Sequence, residues 1–169
     1  MSEKVAIIGS GLVGKSWAMI FASAGYKVTL FDIEEAQVQK ALENIAVELD
    51  QFEKDGVLRG QLSAEAQKKL ISGSSKLDDC IKVILIKEKK DQMFNSAMQD
   101  AIYVQECVPE NLDLKIKVWT QVDALITNSK TILASSSSCI IPSKISGNMA
   151  HQGQFIIAHP VNPPYHAPM

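Results

Sequence analysis

Ile8-Gly9-Ser10-Gly11-Leu12-Val13-Gly14-Lys15-Ser16 follows the apolar run Val5-Ala6-Ile7-Ile8 and opens onto an amphipathic segment. That order predicts a strand, a glycine-rich turn and a helix. Gly9 permits the tight turn, Gly11 lets backbone approach a phosphate, and Gly14 lets the helix press against the strand. The free N–H groups and positive dipole end of the helix favour an anion such as a pyrophosphate. Lys27-Val28-Thr29-Leu30-Phe31 reads as the next strand, closed by Asp32, 18 residues after Gly14. A carboxylate there accepts hydrogen bonds from ribose hydroxyls and repels a 2′-phosphate; Ile33 follows it rather than an arginine, which favours NAD over NADP. Gly9, Gly11, Leu12, Val13, Gly14 and Asp32 are therefore the candidate cofactor-binding residues. The competing reading is a glycine turn in a doubly wound domain that holds some other ligand.

At 169 residues with 46% hydrophobic content, the chain has enough apolar material for one domain with a real core. A net charge of -2 carries no electrostatic footprint for nucleic acid or an anionic membrane. Met1-Ser2-Glu3-Lys4 leads straight into the first strand, and no apolar run approaches the roughly 20 residues that span a bilayer. Cys80, Cys107 and Cys139 are odd in number and lack metal-type spacing, so reduced thiols in a cytoplasmic protein, without zinc, are expected.

Outward from the glycine turn, elements alternate. A helix is expected from Leu12 to about Ala24, with Trp17, Ile20, Phe21 and Ala24 facing the sheet and Gly25 ending it. Another runs from about Glu35 to Lys54 with Val38, Ala41, Leu42, Ile45, Leu49 and Phe52 on one face. Ser63 is a suitable N-cap for a short helix through Leu70. Further strands are expected near Leu70–Ser72, Ala101–Glu106, Thr131–Ala134 and Gln154–Ala158, with a helix from Asn111 to Leu125 between the second and third of them. Strands and helices alternating in this way predict an α/β, Rossmann-type doubly wound domain with a mainly parallel sheet, a three-layer αβα arrangement.

Polar groups gather just after these strands: the glycine turn, Asp32, Glu106-Cys107-Val108-Pro109-Glu110, Ser135 to Ser138, and His159. Ligands of open α/β sheets bind at that edge. Taken singly, each has a plainer reading. The serines suit a solvated turn, Glu106 and Glu110 solvated loop acids, and Lys115 an exposed helix lysine. His159 ends a buried strand and precedes the stiff Pro160-Val161-Asn162-Pro163-Pro164, a context that suits either a structural or a catalytic histidine. His151 and His166 read as surface residues.

Several stretches together resemble the NAD-binding domain of the 3-hydroxyacyl-CoA dehydrogenase family. They are Gly9 to Met19, Phe31-Asp32-Ile33-Glu34, Ala41 to Ile45, Gln105 to Lys115, the serine run into Cys139, and Ala158-His159-Pro160-Val161-Asn162-Pro163-Pro164-Tyr165. The last three are far more specific than the glycine motif, and within the family they resemble a branch acting on a free 3-hydroxy acid such as L-gulonate rather than a CoA thioester. The resemblance implies NAD as cofactor and a homodimer for the full-length form. It makes Ser138 the residue that binds the substrate hydroxyl, His159 the catalytic base and Asn162 a neighbour of the reacting centre. Glu110 and Lys115 match positions near the nicotinamide. Histidine suits the base because its proton exchange lies near neutral pH.

Two departures accompany the resemblance. The family orients its histidine with a glutamate a short way downstream, and the sequence ends at Met169 before it. On that reading residues 1–169 are an incomplete NAD-binding domain without the C-terminal helical domain, and the chain by itself is expected to be a cofactor-binding or structural crystallin-like module without turnover. The stretch from Ile81 to Asn95 has no counterpart in the family and adds roughly fifteen residues where a short connection is expected. An extra edge strand followed by a solvated lysine-rich loop is one reading and a gene-model or splicing insertion another. Either predicts a displaced path into the next strand.

Overall fold

Val5, Ala6, Ile7 and Ile8 are all buried because β1 (Lys4–Ile8) is covered on both faces. Val5 and Ile7 point into one apolar cluster and Ala6 and Ile8 into another, so a continuous apolar run is a period-two strand whose two sides are equally dry. A computed structural model describes residues 3–83 and 99–167. After β1 come α1 (Leu12–Ser23), β2 (Lys27–Phe31), α2 (Glu35–Lys54), α3 (Ala64–Leu70), β3 (Ile71–Ser74) and α4 (Leu77–Ile81). A short ribbon of β4 (Lys82–Val83) and β5 (Gln99–Asp100) precedes β6 (Tyr103–Glu106), α5 (Leu112–Leu125), β7 (Ile132–Ser135), α6 (Pro142–Ser146) and β8 (Phe155–Ile157).

The six-stranded sheet has the order β3-β2-β1-β6-β7-β8 and every pairing in it is parallel. Strand order reverses between β1 and β6, which opens a crevice at their carboxyl ends. Helices α1, α2 and α3 cover one face through Trp17, Ala18, Ile45, Leu49 and Ala64. Helices α4, α5 and α6 cover the other through Ile81, Trp119, Val122 and Ile145. The architecture is the doubly wound, Rossmann-type α/β arrangement expected.

Local signals act as expected at several ends. Gly25 follows α1 with φ of +89°, the left-handed conformation that closes a helix. Ser63 Oγ accepts from the Ala66 amide at 3.3 Å, and Asn111 Oδ1 caps α5 by accepting from the Leu114 amide at 2.9 Å. On α1, Trp17, Ile20 and Phe21 face the core as expected, joined by Ala18 and Ala22, whereas Ala24, just past the end of the helix, is exposed. The third strand also begins later than expected, at Ile71, because Leu70 completes the turn of α3 begun at Ser63.

Most of the stretch from 81 to 95 lies outside the described residues. Its flanks are clear. β4 pairs antiparallel with β5 as a separate ribbon, not as an edge of the main sheet, and the Ala101 amide donates to the Ile81 carbonyl at 2.9 Å. The chain therefore leaves and rejoins the fold at one point. β6 keeps full register with β1, from Val5 opposite Tyr103 to Ile8 opposite Glu106, so the displaced path expected for this strand does not occur.

Tyr165, after β8, is buried against the α1–α2 face. Its ring stacks on Phe52 at 4.7 Å between centroids, and its hydroxyl accepts from the Arg59 amide at 3.0 Å. This ties the segment that carries His159 and Asn162 to the first half of the chain.

Candidate functional site

The glycine turn is built by contacts that only glycine allows. Gly9 has φ of +105°, and a β-carbon there would also meet the Cys107 carbonyl at 3.0 Å. A β-carbon on Gly14 would lie 1.9 Å from the Gly9 carbonyl oxygen, so α1 sits on the turn with no room for a methyl group. Gly11 is different: a β-carbon there would meet nothing within 4 Å. It begins α1 without a side-chain cap, so the first-turn amides face open space and have no acceptor among the described residues.

That space is the mouth of a cleft of about 610 Å³ between the ends of β1, β2 and β6. Gly9, Gly11, Leu12, Val13 and Asp32 line it, and Gly14 is buried beneath it. Asp32 Oδ2 accepts from the Ser10 amide at 3.0 Å and the Ser10 hydroxyl at 2.7 Å, which leaves Oδ1 free for a ligand. Ile33, Leu114 and Val118 give the cleft an apolar slot next to that carboxylate. An uncapped helix start, an open glycine, a held carboxylate and an apolar slot fit the pyrophosphate, ribose and adenine of a dinucleotide in that order. Cys107 also lines the cleft, and burial above all pushes its thiol up to about 12, so it stays a neutral thiol at neutral pH.

Beyond the cleft, the ends of β6, β7 and β8 form one polar network. Glu106 and Lys115, open on sequence grounds to being solvated side chains, are instead 0% and 1% exposed. Lys115 reaches back from the first turn of α5 to Glu106 Oε1 at 2.7 Å and the Val108 carbonyl at 3.2 Å, with Glu110 Oε2 at 3.4 Å. A cation near a helix's positive end needs such partners. The remaining Glu106 contacts are the Val108 amide at 2.7 Å on Oε1 and the Ser135 hydroxyl at 2.5 Å on Oε2.

Glu110 fastens the serine run. Its Oε1 accepts from the Ser137 hydroxyl at 2.5 Å and from the Ser138 and Cys139 amides at 3.0 and 3.1 Å. Burial alone would raise its pKa, but those three donors and the Lys115 ammonium outweigh it and hold the carboxyl down at about 2. A carboxyl lowered in the folded state stabilises the fold above its unfolded pKa and loses that contribution as pH falls through the folded value. Wild type and Glu110→Gln should therefore differ in Tm at neutral pH, and the gap should close between about pH 5 and pH 2. Thermal melts of both proteins across that range check this; a gap independent of pH would contradict it.

Ser138 is exposed at the end of this tether, and His159 is exposed with its Nδ1 3.0 Å from the Ser136 carbonyl of the same run. The structure thus brings Glu110, Ser138 and His159 into one connected set of loops. Asn162 is exposed and makes no side-chain hydrogen bond among the described residues, and neither Glu110 nor Lys115 lines the dinucleotide cleft. Sequence reasoning missed Ser10, which holds Asp32, and Gln105, whose fully buried amide donates to Ser136 Oγ at 2.8 Å. Gln105 and Glu106 close a strand buried on both faces, and that position was the available signal. His151, expected at the surface, is half-buried with Nδ1 2.8 Å from Asp123 Oδ1, whereas His166 is exposed. No group of His, Cys, Asp or Glu among the described residues is arranged to hold a metal ion, and none of their helices is long and apolar enough to cross a membrane.

Comparison with known proteins agrees with this geometry. A mouse lambda-crystallin homolog is 48% identical over 98% of the chain and 46% of its own length. An L-carnitine dehydrogenase from Streptomyces griseus is 30% identical over 99% of the chain and 43% of its own. The chain spans about half the length of these relatives. Among solved structures, the (S)-3-hydroxybutyryl-CoA dehydrogenase of Ralstonia eutropha superposes with a TM-score of 0.77 at 28% identity, covering 97% of this chain and 51% of the other. The model of the NAD-binding domain of 3-hydroxyacyl-CoA dehydrogenases matches residues 4–169. The cleft, its carboxylate and the match along the whole described fold have one meaning: the chain belongs to the NAD-binding domain family of the 3-hydroxyacyl-CoA dehydrogenases.

Proposed function

We propose that this chain is the NAD-binding part of a dehydrogenase that oxidises the 3-hydroxyl of a free hydroxy acid, with L-gulonate as the substrate. The observation that carries the reading is the tethered run from Glu110 to Ser138 with His159 against it, beside a cleft shaped for a dinucleotide. Gly9, Gly11, Leu12, Val13 and Asp32 would hold NAD, while Gly14 keeps α1 close enough to present its amides. Glu110 and Lys115 act on the nicotinamide side through the loop they hold. NAD, when bound, supplies the acceptor for the hydride that leaves the carbinol carbon. His159 Nε2 takes the hydroxyl proton, Ser138 Oγ hydrogen-bonds the same oxygen, and Asn162 lies beside the reacting centre.

The resemblance of Glu106-Cys107-Val108-Pro109-Glu110 and His159 to Tyr165 to the free-acid branch supports the first reading. A CoA thioester is the second reading, favoured by the family's description and the hydroxybutyryl-CoA enzyme among its structural neighbours. L-Carnitine, the substrate named for other relatives, is likewise a 3-hydroxy acid. The test is NADH formation by this chain extended with the remaining half of the mouse relative, on L-gulonate, L-carnitine and 3-hydroxybutyryl-CoA. Turnover should be highest on L-gulonate and should fall by about 10²–10⁴ in His159→Ala, the usual contribution of a general base. Preference for the thioester would select the second reading, and turnover indifferent to His159 would sink both.

A further inference from the structure

We infer that the Glu106–Lys115–Glu110 cluster gives the cleft a standing preference for oxidised NAD over NADH, an inference that rests on the dinucleotide reading of that cleft. Two carboxylates share one ammonium: Lys115 Nζ lies 2.7 Å from Glu106 Oε1 and 3.4 Å from Glu110 Oε2. No other cation pairs with either glutamate among the described residues, so one negative charge is left over. The positive end of α5 offsets part of it, and water reaches the 38% exposed side chain of Glu110. Glu106 is wholly dry, and its charge is screened only by protein.

The cluster stands directly behind the cleft wall. Cys107, Val108 and Pro109 line the cleft, and both backbone polar groups of Val108 bind the cluster: its amide donates to Glu106 Oε1 at 2.7 Å and its carbonyl accepts from Lys115 Nζ at 3.2 Å. A dinucleotide lying across the point where strand order reverses places its adenosine on the β2 side, at Asp32, and its pyrophosphate at the glycine turn after β1. Its nicotinamide then falls on the β6 side, over this wall. That ring is positively charged when oxidised and neutral when reduced, so the surplus charge attracts only the oxidised form. The effect favours uptake of the oxidised cofactor and release of the reduced one, the direction an oxidising dehydrogenase needs. Glu106 lines no part of the cleft and acts on this choice through its charge.

The experiment is calorimetric titration with oxidised NAD and with NADH of the wild type, Glu106→Gln, Glu110→Gln and the double variant Glu106→Gln/Lys115→Met. Each single variant removes the surplus charge. Its ratio of Kd for oxidised NAD to Kd for NADH should rise about 3- to 10-fold over wild type, the order expected of one unit charge acting across a loop of protein. The double variant keeps one uncompensated carboxylate, Glu110, so its ratio should return to within about 2-fold of wild type, whatever happens to either affinity alone. A merely structural role would weaken both cofactors alike and leave the ratio unmoved. Folded single variants with an unmoved ratio overturn the inference, and so does a double variant shifted as far as Glu106→Gln. Should Glu106→Gln fail to fold, Glu110→Gln, at the exposed end of the cluster, decides alone. An unmoved ratio with NAD still bound leaves the proposed function standing; a folded wild type that binds neither cofactor removes that function and this inference with it.

Discussion

Lys115→Met is expected to lower the free energy of unfolding by about 3–5 kcal/mol, the usual cost of removing one partner of a buried ion pair. Both members are essentially inaccessible, at 1% and 0% exposure, and 2.7 Å apart. Without the ammonium, Glu106 keeps the Val108 amide and the Ser135 hydroxyl but becomes a buried carboxylate with no counter-charge. Glu110 loses its 3.4 Å contact as well, which loosens the serine run. Adding Glu106→Gln should recover most of the loss. A glutamine can still accept from Val108 and donate to Ser135, and it carries no charge. Urea denaturation of the two single variants and the double gives the coupling directly. A Lys115→Met protein within about 1 kcal/mol of wild type would show that the pair does not carry this end of the sheet.

Gly14→Ala should cost about 3 kcal/mol, at the upper end of overpacking effects. The added methyl group would sit 1.9 Å from the Gly9 carbonyl oxygen and 3.0 Å from its carbon, so the obstacle is backbone and cannot rotate away. α1 must back off from β1, and the amides of its first turn move with it. NAD affinity should fall along with Tm. Gly11→Ala provides the contrast: its methyl group would meet nothing within 4 Å, so Tm should stay near the wild-type value while NAD affinity still falls, because the methyl occupies the approach a phosphate needs. Equal losses of Tm in the two variants would contradict this division of labour.

What could be read in the sequence follows from how local each signal is. The turn at Gly9 to Gly14, the cap at Ser63 and the stop at Gly25 are set by neighbours a few residues away, and all three stand as expected. Asp32 was legible because strand alternation places it at the tip of β2; Ser10, which holds it, was not, because that hydrogen bond spans 22 residues of chain. The burial of Glu106 and Lys115 depends on α5 folding back over β6, and a lysine on a helix carries no local sign of that. The contact of His159 Nδ1 with a backbone carbonyl 23 positions away is further still from sequence. The stretch between α4 and β6 left its neighbours undisturbed because Ile81 and Ala101 meet at its base.

Calorimetric titration of the purified chain and of Asp32→Ala decides whether the fingerprint cleft binds NAD through Asp32. The wild type should bind NAD saturably and more tightly than NADP. Asp32→Ala, checked as folded by its melt, should bind NAD at least about 10-fold more weakly, since hydrogen bonds to a charged group are worth about 1.5–3 kcal/mol each. Absence of NAD binding by the folded wild type, or equal affinity in the variant, would rule out an Asp32-held dinucleotide in this cleft.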